Sequence, residues 1–262
     1  MTAPDDIRLT FDQVPDLYQR VRPTCPPELL DRVFEQLSDR PRIVEVGPGT
    51  GQLTADLLAR GAHVTAVELG PNLARAVTER FADSDRLTVV NAPFETASLP
   101  TSAFDAVVSA NAYHWIEPTQ RTARPVELLV PSGWLGIVEL MQVESEVDRG
   151  YFDRVQPIYE AFGDARVDWD APTHESATPK FVAELTESDL FADPALYRVP
   201  WNQTYTTAEY HDLMLTYSNM RMMPDDERDA LVAQLTAVVD DELGGTITRP
   251  LVATMTLAQA KR

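Results

Sequence analysis

The chain has 262 residues, 44% hydrophobic and 24% charged, with 22 basic against 41 acidic side chains and a formal net charge of -19. That is the composition of a folded domain rather than a disordered one, and with no basic tract anywhere its field repels nucleic acid and anionic lipid, which are held by clustered Lys and Arg. No apolar run approaches the ~20 residues that cross a bilayer, the acidic start MTAPDDIRLT is unlike a signal peptide, and the single cysteine, Cys25, excludes an intrachain disulfide; a cytoplasmic protein with no membrane partner is expected.

Taken in chain order, residues 13–21 and 27–37 read as two helices parted by RPTCPP, whose prolines stop one helix and start the next. RIVEV (42–46) reads as the first strand, GPGTGQ as a tight turn, and TADLLARG as a helix closed by Gly61. HVTAVE is a second strand, and PNLARAVTERFA a helix with Pro71 in its first turn. RLTVVN, FDAVVSA and GWLGIVEL read as three more strands, with a helix over 118–130 before the last. This alternation predicts a parallel sheet with helices on both faces and a ligand at the carboxyl ends of its strands.

After Leu140 the rhythm changes. Residues 141–190 read as mostly helical or irregular, ALYRVPWNQTYT as a strand, 207–242 as two helices around Pro224, and TRPLVATMTLA as a last strand able to pair antiparallel. The expectation is one α/β domain over 1–262: a Rossmann-like, seven-stranded, mostly parallel sheet with its core at about 40–140 plus the late strands. The N-terminal helices (13–37) and the insertions 141–190 and 207–242 would form a helical cap over a small-molecule acceptor, with Trp169, Tyr205, Tyr210, Tyr217 and Arg221 as candidate lining.

The densest signal is VEVGPGTGQLT (44–54). Gly47, Gly49 and Gly51 let the chain turn sharply and bring main chain against a ligand, beside the free N–H groups of a helix start. Glu68 ends the next strand, where a carboxylate can accept both hydroxyls of an adenosine ribose. The dinucleotide fingerprint G-x-G-x-x-G needs its third glycine at 52; Gln52 stands there and the glycine is at 51, which disfavours NAD(P) or FAD.

Glu45 followed by Gly47, Gly49 and Gly51 resembles the first motif of the class I S-adenosylmethionine (SAM)-dependent methyltransferases. YQRVRPTCPPEL (18–29) and ANAYHWIEP (110–118) are similar to stretches of the small-molecule branch of that family, the type 11 and trans-aconitate methyltransferase-like proteins. The resemblance implies SAM as cofactor, with Glu45, the Gly47–Gly51 backbone and Gln52 at its amino-acid half, Glu68 on the ribose, and Leu69 on one adenine face. It also implies Ala92, Pro93, Phe94 and Glu95 along the adenine edge, and Asn111 beside the cofactor. Tyr18 would lie over the sulfonium and Arg22 would pair with the carboxylate.

Because the methyl is already activated, the chemistry asks mainly for alignment and water exclusion, and His114 is the candidate general base for a hydroxyl or amine acceptor, oxygen being favoured. The glycine motif and NAPF (91–94) also resemble the rRNA adenine dimethyltransferases. There, however, the Asn-x-Pro-aromatic motif follows the fourth strand, whereas NAPF follows the third, and the acidic charge argues the same way. A SAM-binding protein without transfer activity is the remaining alternative. His174 with Glu175, and His211 with Asp212, lack the spacing and third ligand of a metal centre, so no metal is expected.

Overall fold

The computed structural model describes residues 7–163 and 172–261, so Trp169 lies outside the described residues. After a 3₁₀ turn at Ile7–Gln13 the chain forms α1 (Pro15–Val21), α2 (Pro27–Phe34), β1 (Arg42–Val46), α3 (Gln52–Ala59), β2 (His63–Glu68), α4 (Pro71–Arg80), β3 (Leu87–Asn91) and β4 (Phe104–Ala110). Then come α5 (Ala123–Leu128), β5 (Leu129–Gln142), α6 (Tyr151–Ala161), α7 (Val182–Glu187), β6 (Ala195–Thr206), α8 (Thr207–Met214), α9 (Ser218–Met222), α10 (Asp225–Leu243) and β7 (Thr246–Gln259).

Two compact units share these elements. A sheet unit draws on Thr24–Met141, Thr178–Val199 and Ala253–Arg262; a helical unit draws on Met1–Pro23, Gln142–Ala177 and Pro200–Val252. α2 therefore belongs with the sheet, where Leu29, Leu30 and Val33 are buried, and not with the helical segments.

The strand order is β3-β2-β1-β4-β5-β7-β6. β3, β2, β1, β4 and β5 pair in parallel, with Ile43 opposite Val64 on one side and Ala106 on the other. The last strand reverses. Ala260 N–H donates to the Gly133 carbonyl and Thr254 Oγ1 to the Glu139 carbonyl, so β7 runs against β5.

Successive side chains point to opposite faces of a strand, and the core divides accordingly. Val44, Val46, Val107, Leu135 and Ile137 pack on one face with Tyr113, Phe181 and Leu185. Ile43, Val64, Ala66, Ala106 and Val108 pack on the other with α2 and with Leu53 and Leu57 of α3. The helical unit has its own core, in which Tyr151, Val155, Tyr210, Leu213, Leu231, Leu235, Val239 and Ile247 are buried.

Two local expectations change. The helix expected over 118–130 shrinks to α5, because Leu129 is already extended and paired with Phe104; the register then shifts from Phe104–Leu129 to Ala106–Trp134, four residues of β5 standing opposite the single Asp105, with Ser132 at φ 60°. The two helices expected around Pro224 are three, α8 having stopped at Met214. Arg22 holds the break at Thr216, its Nε donating to Thr216 Oγ1 at 2.9 Å and its Nη2 to the Thr216 carbonyl at 2.9 Å.

Candidate functional site

At the carboxyl end of β1 the chain enters the glycine turn. Gly47 and Gly51 take φ of 67° and 87°, a region closed to most side chains. Space forbids one as well: a Cβ on Gly47 would lie 2.4 Å from Ala112 Cβ, and one on Gly51 2.5 Å from the Phe81 ring. Gly47 N–H donates to the Val67 carbonyl at 3.0 Å and Gly51 N–H to that of Pro48 at 2.9 Å, so the turn is closed against its neighbours.

Two carboxylates frame it. Glu45, 1% exposed, accepts Thr54 Oγ1 at 2.6 Å. Burial pushes its pKa up to about 8 against the lowering effect of that hydrogen bond, with the charge of Glu68 adding to the rise. Glu68, 6% exposed, accepts the Gly49 N–H at 3.0 Å on one oxygen and the Gly70 N–H at 2.9 Å on the other. It thereby ties the turn to the start of α4 and presents an oriented carboxylate where a ribose diol would need one. Asn91 Nδ2 donates to the carbonyls of Glu68 and Leu69 at 2.8 and 3.0 Å, securing the end of β3 to the end of β2.

The residues present fit the amino-acid half of SAM. α3 opens on Gly51 with no side-chain cap, so its first-turn N–H groups point out of the helix start. Gln52 Oε1 accepts Thr50 Oγ1 at 3.1 Å, while its Nε2 is buried without a hydrogen-bond partner among the described residues. A buried amide donor left unmatched beside a helix start suits a carboxylate.

The remaining candidates fall into three groups. Leu69 and Pro93 are half-buried at the strand ends, whereas Phe94 is 5% exposed and packs in the core with Val46 and Val67. Asn111, at φ 56°, accepts the Leu140 N–H on Oδ1 at 2.8 Å and so joins the ends of β4 and β5. Tyr18 and Arg22 belong to the helical unit, where the Arg22 guanidinium, bonded to Thr216, lies 5.0 Å from the Tyr18 ring and 4.5 Å from that of Tyr217. The cation that Tyr18 faces in this structure is therefore Arg22.

His114 is half-buried on a 3₁₀ turn just past β4, its ring 4.7 Å from Trp115. Burial, then the charges of Lys180 and Arg121, bring its pKa down to about 4. At neutral pH it is an uncharged imidazole, able to accept a hydrogen bond but weak as a base. Nearby, Glu139 at the end of β5 is 8% exposed and accepts the Lys180 N–H at 3.0 Å, and burial raises its pKa. Sequence reasoning passed over Glu139 and Lys180. A carboxylate inside the apolar run GWLGIVEL was the available signal.

Among the expected lining residues, Tyr205 and Tyr210 are buried in the helical core, and Arg221 donates through Nη2 to Gln13 Oε1 at 2.6 Å. Among the described residues no three His, Cys, Asp or Glu side chains gather as a metal ion would need, and no helix is long and apolar enough to cross a membrane.

Residues 44–137 match the methyltransferase domain family. The chain is 32% identical over 133 residues to an uncharacterized methyltransferase of Mycobacterium tuberculosis, covering 51% of this chain and 53% of that one; it thus spans about half the length of that curated relative. It is also 50% identical over 58 residues to ribosomal RNA small subunit methyltransferase A of Synechococcus, a match covering 22% of this chain and 21% of that protein. A solved structure assigned as a type II methyltransferase from Anaeromyxobacter dehalogenans superposes with a TM-score of 0.60 at 20% identity, over 92% of this chain and 97% of that one. Sheet order and the superposition give a Rossmann-like fold shared with solved methyltransferase structures. Within it, residues 44–137, which hold the glycine turn and Glu68, are similar to the methyltransferase domain family.

Proposed function

We propose that the protein transfers the methyl group of SAM to a small-molecule acceptor, with oxygen the favoured target. The observation that carries this is the pairing of an uncapped, glycine-built helix start bearing the unmatched Gln52 amide with the buried Glu68 carboxylate at the neighbouring strand end. Gln52 and the α3 amides would hold the carboxylate of the cofactor, Glu45 its ammonium side, and Glu68 its ribose hydroxyls. The bound sulfonium supplies an activated methyl. The acceptor lone pair forms the new bond to carbon as the carbon–sulfur bond breaks, the electron pair stays on sulfur, and the acceptor proton leaves to solvent or to a base.

His114 is better suited to orient an acceptor hydroxyl by accepting its hydrogen bond than to carry its proton away, because the imidazolium would form beside Lys180 and Arg121. A small acceptor, rather than rRNA, is supported by the -19 charge without a basic tract. The order of elements supports it too: NAPF follows β3, while β4 is followed by Asn111 and no proline.

Calorimetric titration with SAM, S-adenosylhomocysteine and NADH, followed by a radiolabelled-SAM screen of carboxylic acids, phenols and amines, tests the reading. Binding of both adenosyl compounds and label transfer to one acceptor class are expected. NADH binding without SAM binding overturns the assignment, and SAM binding without transfer to any acceptor reduces the protein to a SAM binder.

A further inference from the structure

We propose that the helical unit binds a small oxyanion, the carboxylate or phosphate group of a ligand, against the guanidinium of Arg249. Arg249 is the one charged residue in TITRPLVATMTLAQ, the sequence of β7, and it is 9% exposed. Its Nη1 donates to Tyr210 Oη at 2.9 Å, while its Nε is fully buried and has no hydrogen-bond partner among the described residues. The guanidinium carbon lies 4.9 Å from the Phe152 ring and 5.6 Å from the Tyr210 ring. Beside it Tyr151, 0% exposed, has its ring 5.4 Å from that of Tyr210, and its hydroxyl, coupled electrostatically to the Tyr210 hydroxyl, makes no hydrogen bond within 3.5 Å among the described residues.

Arginines nearer the surface are treated differently. Arg20, Arg60, Arg154 and Arg228 each sit within salt-bridge distance of an Asp or Glu. No acidic side chain of the described residues forms an ion pair with Arg249. Asp148, which feels its charge, instead accepts the Gly150 N–H at 3.0 Å.

A cation withdrawn from water without an ion pair is unfavourable, and flanking aromatic faces and a carboxylate at longer range return only a part of what hydration supplied. An oxyanion meets the deficit. Its oxygens match the planar guanidinium edge that Tyr210 leaves unfilled, and the Tyr151 hydroxyl stands as a further donor. This site involves none of the residues assigned to the cofactor, and it stands whether or not methyl transfer does.

Thermal unfolding and calorimetry without SAM, using inorganic phosphate, malonate and the neutral control malonamide at matched ionic strength, test it. At 10 mM, phosphate or malonate is expected to raise Tm by about 3 °C and malonamide to leave it unchanged; the larger of the two anion shifts tells which kind of group the site takes. In Arg249→Met the anion-specific shift is expected to vanish. Tyr151→Phe removes a hydroxyl that makes no hydrogen bond within 3.5 Å among the described residues, so it should keep the unliganded Tm while binding the anion about fivefold more weakly. Equal anion shifts in wild type and Arg249→Met, or no shift in wild type, overturn the proposal. Should Arg249→Met not fold, an unchanged anion affinity in Tyr151→Phe overturns it.

Discussion

In each unit a strand leads into the helix that follows it, and the two junctions are built differently. In the helical unit β6 becomes α8 with no intervening residue. Thr206 closes the helix start, accepting the Glu209 N–H while the Glu209 side chain accepts the Thr206 N–H, a complete capping box. In the sheet unit β1 reaches α3 through a five-residue turn with three glycines at positive φ, and no side chain caps the helix. One Thr and one Glu suffice to join the elements. A longer connection built of glycines that leaves donors uncapped does more than join two elements, and the buried Gln52 amide and the oriented Glu68 carboxylate are the groups that the proposed cofactor site would use.

The comparison is broken most severely by filling the glycine turn. Gly47→Ala adds a left-handed strain of about 1–2 kcal/mol to a close clash with Ala112, for a total loss of about 3–5 kcal/mol in denaturant unfolding. Gly61→Ala, at φ 91° with nothing within 4 Å, should show the strain alone; equal losses at both sites would mean that the contact with Ala112 carries no weight. Next comes Glu68→Ala, expected to reduce SAM affinity by about 1.5–3 kcal/mol per lost ribose hydrogen bond, at least tenfold by calorimetry. An unchanged affinity would remove Glu68 from the site.

Glu45 sharpens the contrast through pH. Its folded pKa, about 8, lies above the ordinary 4.5, so between those values the folded state holds the proton more tightly than the unfolded state does. Stability of the unliganded protein should therefore fall as pH rises from about 5 to 8, by up to about 1.4 kcal/mol per pH unit, and level off above. Glu45→Gln should flatten that slope, and a slope unaltered by the substitution would assign it elsewhere. The smallest effect is expected at the other junction, where Thr206→Ala should cost about 1 kcal/mol in stability and leave SAM affinity untouched.

Apolar runs and turn chemistry made the first half of the sheet legible, because RIVEV, HVTAVE and FDAVVSA are short, largely apolar strands buried on both faces and bounded by Gly, Pro or Asn. β6 was readable residue for residue from ALYRVPWNQTYT. What escaped reading depends on partners far away in the chain. No Pro or Gly marks the break after α8; Arg22, 194 positions earlier, holds it. The shortening of α5 follows from Leu129 pairing with Phe104, a tertiary choice that the helical look of RPVELL does not disclose. Glu139 and Arg249 were hidden in apolar strands, where a pattern of hydrophobic residues records the rhythm and passes over the exception.

Gly47 and Ala112 lean on one another across the gap between the first and fourth strands, and there is room there for one methyl group and no more. His114 is two residues beyond Ala112. The segment that carries the imidazole is thus keyed sterically to the bend that would cradle the methyl donor, so a bulkier residue at 112 would disturb donor and acceptor sides together without touching either ligand.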